Sequence, residues 1–277
     1  MPLSHRNIRP CAVCGKFYPG NSSDLAHLVA ALLDRVGSSA PGRRVQGIVV
    51  PHAGYLYSGL TAAHAFSLLR QAEYDAVVIV SPSHREFFRG IALFEGEGYA
   101  TPLGVLRVAV EWRDRLLELC PGASLSRQGH GAEHAIEVQL PFLQHVMTDP
   151  AIIPVVMGDQ SRALCMNLGR ALSSLMTRAR ILLVASTDLS HYHSLAAAHT
   201  LDDIMINDVR QCDSVALMDH LESGATEACG GGPTVAVLSA LRSHGVASVD
   251  ILHHTTSADA SGDTGNVVGY LAAAAYA

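Results

Sequence analysis

Histidines and a carboxylate follow directly on apolar runs in this sequence, and that placement is where chemistry can begin. Val45–Val50 (VQGIVV) runs into Pro51-His52-Ala53-Gly54, residues 76–80 (AVVIV) into Ser81-Pro82-Ser83-His84, and residues 181–185 (ILLVA) into Ser186-Thr187-Asp188-Leu189-Ser190-His191. A lone histidine after a strand is usually a satisfied loop or core residue. Three separate strand-end placements point instead to one crevice, because ligands of open α/β sheets bind beyond the carboxyl ends of the strands. Neutral imidazole is the commonest metal ligand and a strand end supports it stiffly, so His52 and His84 are the leading ligand candidates. Cys229 is the third. It lies in Ala228-Cys229-Gly230-Gly231-Gly232-Pro233, a glycine loop opening onto an expected helix. A helix N-terminus favours thiolate over thiol, although a buried, inert cysteine would read the same way locally.

Asp188 and His191 follow the third run. A histidine near a metal, oriented by a carboxylate, is suited to general acid/base work; the plainer alternative is that Asp188 caps a turn and His191 packs. Glu133-His134-Ala135-Ile136-Glu137 opens another expected helix. There His134 and Glu137 share a face that could turn to the crevice, which makes His134 a catalytic candidate, while Glu133 suits the helix dipole. Cys11-x-x-Cys14 has redox-motif spacing, but it precedes no βαβ unit and no second pair completes a zinc site. His253 and His254 alternate on a strand and face opposite ways. No G-x-S-x-G, P-loop or H-E-x-x-H sequence occurs, which leaves three large enzyme classes without support.

These residues need a scaffold. Val45–Val50, 76–80, Ile152–Met157 and 181–185 are continuously apolar and rich in β-branched residues, as strands covered on both faces are. Helices are expected at 25–36, 59–69, 133–147, Arg162–Met176 and 234–243, a small strand excursion at 90–110, and closing strands near 249–253 and 267–271. The expected fold class is α/β, a mainly parallel central sheet flanked by helices. With 277 residues and no repeat or composition break, one domain over 1–277 is expected. A composition 49% hydrophobic and 16% charged is that of an ordinary globular chain. A net charge of −6 with scattered arginines argues against nucleic acid, which needs a clustered basic face. No apolar run is long enough to span a bilayer, and residues 1–10 lack the apolar core of a signal peptide. The expected location is therefore cytoplasmic, with the six cysteines as free thiols or ligands.

Several motifs together resemble the Memo family, whose bacterial and archaeal members are called AmmeMemoRadiSam system protein B. They are Phe17-Tyr18-Pro19-Gly20, Pro51-His52-Ala53-Gly54-Tyr55 with Tyr57-Ser58-Gly59, Ser81-Pro82-Ser83-His84, the stretch Glu133-His134-Ala135-Ile136-Glu137-Val138-Gln139-Leu140-Pro141-Phe142, Ser186-Thr187-Asp188-Leu189-Ser190-His191, Cys229-Gly230 and Val267-Val268-Gly269-Tyr270. The resemblance implies the fold of class III extradiol dioxygenases, non-haem iron enzymes that cleave catechol rings. It implies metal positions at His52, His84 and Cys229, with His191 matching the acid/base histidine. It also implies iron as the metal, with copper or zinc as alternatives, a small molecule or a peptide in the crevice, and a radical-SAM partner protein. The dioxygenases complete their site with a carboxylate; here the softer Cys229 stands in that place, with Glu227 two residues away, so ring cleavage does not carry over with the fold.

Overall fold

The computed structural model describes residues 7–37 and 42–277; of the segment 1–10, expected to lack a signal-peptide core, residues 1–6 lie outside the described residues. In chain order the elements are β1 (Ile8–Arg9), α1 (Ser22–Val36), β2 (Val45–Val50), α2 (Tyr55–Phe66), β3 (Ala76–Pro82), β4 (Ile91–Phe94), β5 (Gly98–Thr101), β6 (Gly104–Arg107), α3 (Val110–Leu119) and β7 (Ala123–Ser126). There follow α4 (Leu140–Val146), β8 (Ile152–Met157), α5 (Arg162–Met176), β9 (Ile181–Ser186), β10 (His191–His193), α6 (Leu195–Arg210), α7 (Ser214–Ser223), α8 (Gly231–Ser243), β11 (Asp250–Thr256), α9 (Ala258–Ser261) and β12 (Val267–Tyr276).

The four apolar runs form the centre of one sheet in the order β2-β9-β3-β8, all parallel to their neighbours. Every residue of these strands is buried, as continuous apolarity requires of strands covered on both faces. Alternate side chains serve two separate cores. Val78 and Val80 of β3 join Leu168 and Leu172 of α5 and Val237 of α8, whereas Val77 and Ile79 join Leu25 of α1, Phe66 of α2 and Phe142 of α4. Antiparallel strands flank the parallel centre, with β12 against β2 and β4 against β8. A second sheet, β1-β5-β6, pairs Arg9 with Tyr99.

Two sequence expectations are corrected here. The helix expected over 133–147 begins only at Leu140, after a turn and a 3-10 segment, Glu137–Gln139. Pro141 is the cause: it has no N–H, and its ring would meet the carbonyl four residues back, so an α-helix cannot run through from 133. The cysteines are not all free, because Cys11 and Cys14 are joined in a disulfide. The helices α3, α6 and α7 were not expected; they carry Leu116, Met205 with Val209, and Leu217 into the core on the α5 and α8 side.

Glu137 does not face the crevice. Its carboxylate is fully buried beneath the N-terminal segment, paired with Arg9 and accepting from Ala12 N (2.7 Å), Val13 N (3.0 Å) and Tyr18 Oη (2.5 Å). Arg9 in turn donates to the carbonyls of His130 (2.6 Å) and Glu133. Breaking a buried ion pair from one side strands the other charge, so Glu137→Ala is expected to lose ~3–5 kcal/mol of stability in urea unfolding. A loss below ~1 kcal/mol would show that the pair does not hold this segment.

Candidate metal centre

Because β2, β9 and β3 are adjacent and parallel, their carboxyl ends lie side by side. His52 and His84 each follow their strand by two residues, and Ser186 and Asp188 lie between them at the end of β9. Cys229 arrives from the loop before α8, and the approach depends on its neighbour. A Cβ on Gly230 would lie 2.3 Å from the carbonyl oxygen of Ser186, so only glycine lets this loop rest on the strand end. The ligand atoms of His52, His84 and Cys229 fall within 4.8 Å of one another. The His52 and His84 rings are 5.0 Å apart, and Cys229 Sγ is 3.1 Å from His52 Nε2. His52 is 1% exposed but the His84 side chain 26%, so the group opens to solvent on the His84 side.

The surrounding hydrogen bonds decide which nitrogen each histidine presents. The Ser186 hydroxyl gives its one hydrogen to the Ala135 carbonyl (2.7 Å) and accepts from Gln139 Nε2 (2.9 Å). Its contact with His52 Nδ1 (2.9 Å) is therefore one in which the imidazole donates, and His52 Nε2 keeps a bare lone pair facing Cys229. Glu133 does the same for His84. Burial alone would raise its carboxyl, but the hydrogen bond and charge of the His84 ring and the N–H groups of His84 and Ala135 hold it at about 2. As an ionised acceptor 2.9 Å from His84 Nδ1, it makes that nitrogen the donor and leaves Nε2 as the ring atom turned away from the carboxylate. Histidine ligands oriented by a carboxylate or hydroxyl partner in this way are typical of metal sites.

Glu133, expected only to complement a helix dipole, is thus the orienting carboxylate of the site. Sequence reasoning could have found it only by knowing that His84 lies beside it. Glu133, His84 and His134 also form a metal-competent group by distance. Glu133 already receives His84 N (2.5 Å) on Oε2 and His84 Nδ1, His134 N (2.8 Å) and Ala135 N (2.9 Å) on Oε1, which fully occupies Oε1. His134 stacks on His84 at 4.8 Å, and burial lowers its imidazole to about 4.

The other expected residues divide. Asp188 does not orient His191. Its carboxylate accepts from the backbone N–H of His52 (2.7 Å), with a further backbone bond from Ala53, and burial pushes it up to about 7. His191 is half-buried on β10; burial lowers its imidazole, while Glu227 opposes the shift. Glu227 accepts from His191 N (2.9 Å) and His193 Nε2 (2.8 Å) and stands outside the ligand group. The expected lowering of the Cys229 thiol is reversed: burial, then the charge of Asp188, raise it. The hydrogen bonds that Cys229 receives from Asp188 N, the Thr187 hydroxyl and Gly230 N work the other way and are outweighed. Without a metal, Cys229 is a thiol.

A family model described as Memo-like protein matches residues 9–274. A MEMO1 family protein of Thermotoga neapolitana is 39% identical over 277 residues, spanning 96% of this chain and 99% of the relative. Another, from Methanosarcina acetivorans, is 35% identical over 268 residues, spanning 96% and 98%. The crystal structure of an uncharacterized protein from Escherichia coli K12 superposes with a TM-score of 0.56 at 18% identity, covering 83% of this chain and 99% of that one, a likeness of fold alone.

Two outcomes follow from this geometry. Glu133→Gln and Ser186→Ala each leave the ligands in place but release one ring, so each should weaken metal binding ~10- to 100-fold in a competitive chelator titration. Unchanged affinity in both would contradict the orienting roles. Asp188 has a folded pKa above its unfolded value of ~3.9, so the native state holds its proton longer and stability falls as pH rises from ~4 towards 7. The metal-free Asp188→Asn variant should therefore gain stability relative to the parent progressively across that window and level off above it; a pH-independent difference would refute the assignment.

Proposed function

The chain belongs to the Memo-like family, and on that premise we propose that it is a metal-dependent redox protein acting on a small phenolic or similarly planar substrate. The observation that carries this reading is the convergence of one ring nitrogen each from His52 and His84 and the Cys229 sulfur within 4.8 Å. The donor set fits a transition metal: burial keeps the His52 imidazole neutral, and the Cys229 proton is what an ion must displace. Two imidazoles and a thiolate suit iron(II), copper(I) or zinc, and make a softer set than two histidines and a carboxylate. Bound there, iron or copper would supply one-electron redox chemistry and Lewis acidity.

The chain's own groups supply the proton handling. His191 is close enough to His52 to oppose protonation of that imidazole, yet it is not in the ligand group. Lowered by burial, it stands neutral and ready to take a proton from a substrate hydroxyl. Asp188, titrating at about 7 beside His52, is a second proton acceptor in reach of the crevice, and His134 lines its wall against Phe17.

A binding role for a peptide or a radical-SAM partner is the competing reading. It is favoured by large exposed side chains beside the site: Phe87 three residues after His84, and Tyr192 directly after His191. One pair of variants separates the two. His52→Ala should lose stoichiometric iron(II) or copper(I) uptake, while His191→Ala should keep the metal and lose ~10²- to 10⁴-fold in oxygen uptake with catechols and related diols. Full uptake of metal by His52→Ala would sink the metal assignment, and loss of metal from His191→Ala would make His191 a ligand.

A further inference from the structure

The Cys11–Cys14 disulfide is attached to the metal crevice through a short series of contacts. The two residues it encloses, Ala12 and Val13, donate their backbone N–H groups to the buried Glu137 carboxylate. Val13 also accepts from Phe17 N (2.9 Å) through its carbonyl, and the Phe17 carbonyl accepts from Tyr55 N (2.8 Å) at the start of α2. The Phe17 ring packs against His134 with centroids 4.9 Å apart, and His134 stacks on the ligand His84. Glu137 and Gln139 belong to one 3-10 segment, and Gln139 holds Ser186, which orients His52. The bridged loop therefore closes one edge of the crevice and grips the segment that orients both histidines.

Two observations set this cysteine pair apart. Cys120, Cys165 and Cys212 are buried, whereas Cys11 and Cys14, like the ligand candidate Cys229, are half-buried. A bridge across a separation of three residues also closes so small a loop that it constrains the unfolded chain least, which makes it a poor staple.

We propose that Cys11 and Cys14 form a reversible dithiol–disulfide site, reduced by a glutathione-type thiol or a protein dithiol, whose state controls how tightly this loop closes the metal crevice. The exchange balances as follows. A reductant thiolate attacks one sulfur, the S–S bond breaks to give a mixed disulfide and a cysteine thiolate, and a second reductant thiolate attacks the reductant's sulfur in that mixed disulfide, expelling the second cysteine thiolate. Two electrons and two protons pass to Cys11 and Cys14, and the reductant leaves as its own disulfide. In the reduced chain the Ala12 and Val13 amides must be organised against Glu137 without the ring closure, so the clasp opens more often. The exchange stands independently of the metal reading; only its consequence for the ion rests on that reading.

The test uses the full chain in oxidised and reduced glutathione buffers. Mass spectrometry assigns the disulfide, hydrogen exchange follows the peptide covering residues 9–20, and a chromophoric chelator follows zinc release. Reduction is expected to break the Cys11–Cys14 bond alone and to raise exchange at Ala12 and Val13 by about tenfold or more, with faster zinc release. The Cys11→Ser/Cys14→Ser variant should show the fast values in both buffers, which excludes an effect through Cys229. Equal exchange in the two states of the parent chain, or no bridge formed in oxidised glutathione, overturns the proposal. A chain that takes up no zinc at all overturns the metal reading and leaves the exchange measurement to decide this one.

Discussion

The buried pair Arg9–Glu137 holds a segment that contributes no ligand of its own, and the geometry of the ligands depends on that segment. Arg9 comes from the small sheet, where β1 pairs with β5 and the guanidinium lies 4.8 Å over the Tyr99 ring. It grips the turn from His130 to Glu137 at two carbonyls and one carboxylate. From that turn Glu133 reaches His84, while Ala135 and Gln139 reach Ser186 and through it His52. Buried ion pairs rarely add net stability, because two desolvated charges must first be compensated. The value of this one lies in placement: it fixes in one orientation a turn that a proline prevents from becoming helix.

Around that turn the site gathers groups that could hold a cation. Parallel pairing of β2, β9 and β3 brings three strand ends together, and burial suppresses charge on His52, Asp188 and Cys229. A neutral His52, a thiol at Cys229 and an Asp188 poised near neutrality are what a buried cluster adopts when its charges are not matched. Displacing the Cys229 proton by an ion converts a desolvation cost into a coordination bond.

Much of this was legible in the sequence, and the parts that were not share a cause. The four buried strands and the histidines His52 and His84 at their ends followed from patterns that need no partner, continuous apolarity and then an ionisable residue, and Cys229 from a glycine loop ahead of a helix. Glu133 and Glu137 were assigned the wrong way round in emphasis, since what each carboxylate does depends on residues 49 and 128 positions away in the chain. Pro141 is a local signal, present in the sequence itself, that the helix over 133–147 is not continuous. The thiol of Cys229 was expected to be acidic because a helix N-terminus follows it; burial beside Asp188 outweighs that dipole. Residues 110–119, 195–210 and 214–223 became helices because each turns an apolar stripe onto a core whose other half lies far along the chain.

The central claim is that one ion sits between two histidine nitrogens and one cysteine sulfur. X-ray absorption on the zinc-loaded chain addresses it directly. The expected spectrum has one sulfur scatterer at ~2.3 Å with nitrogen neighbours at ~2.0–2.1 Å, the sulfur contribution disappearing in Cys229→Ser. A shell of nitrogen and oxygen alone in the parent chain would contradict the site as assembled here.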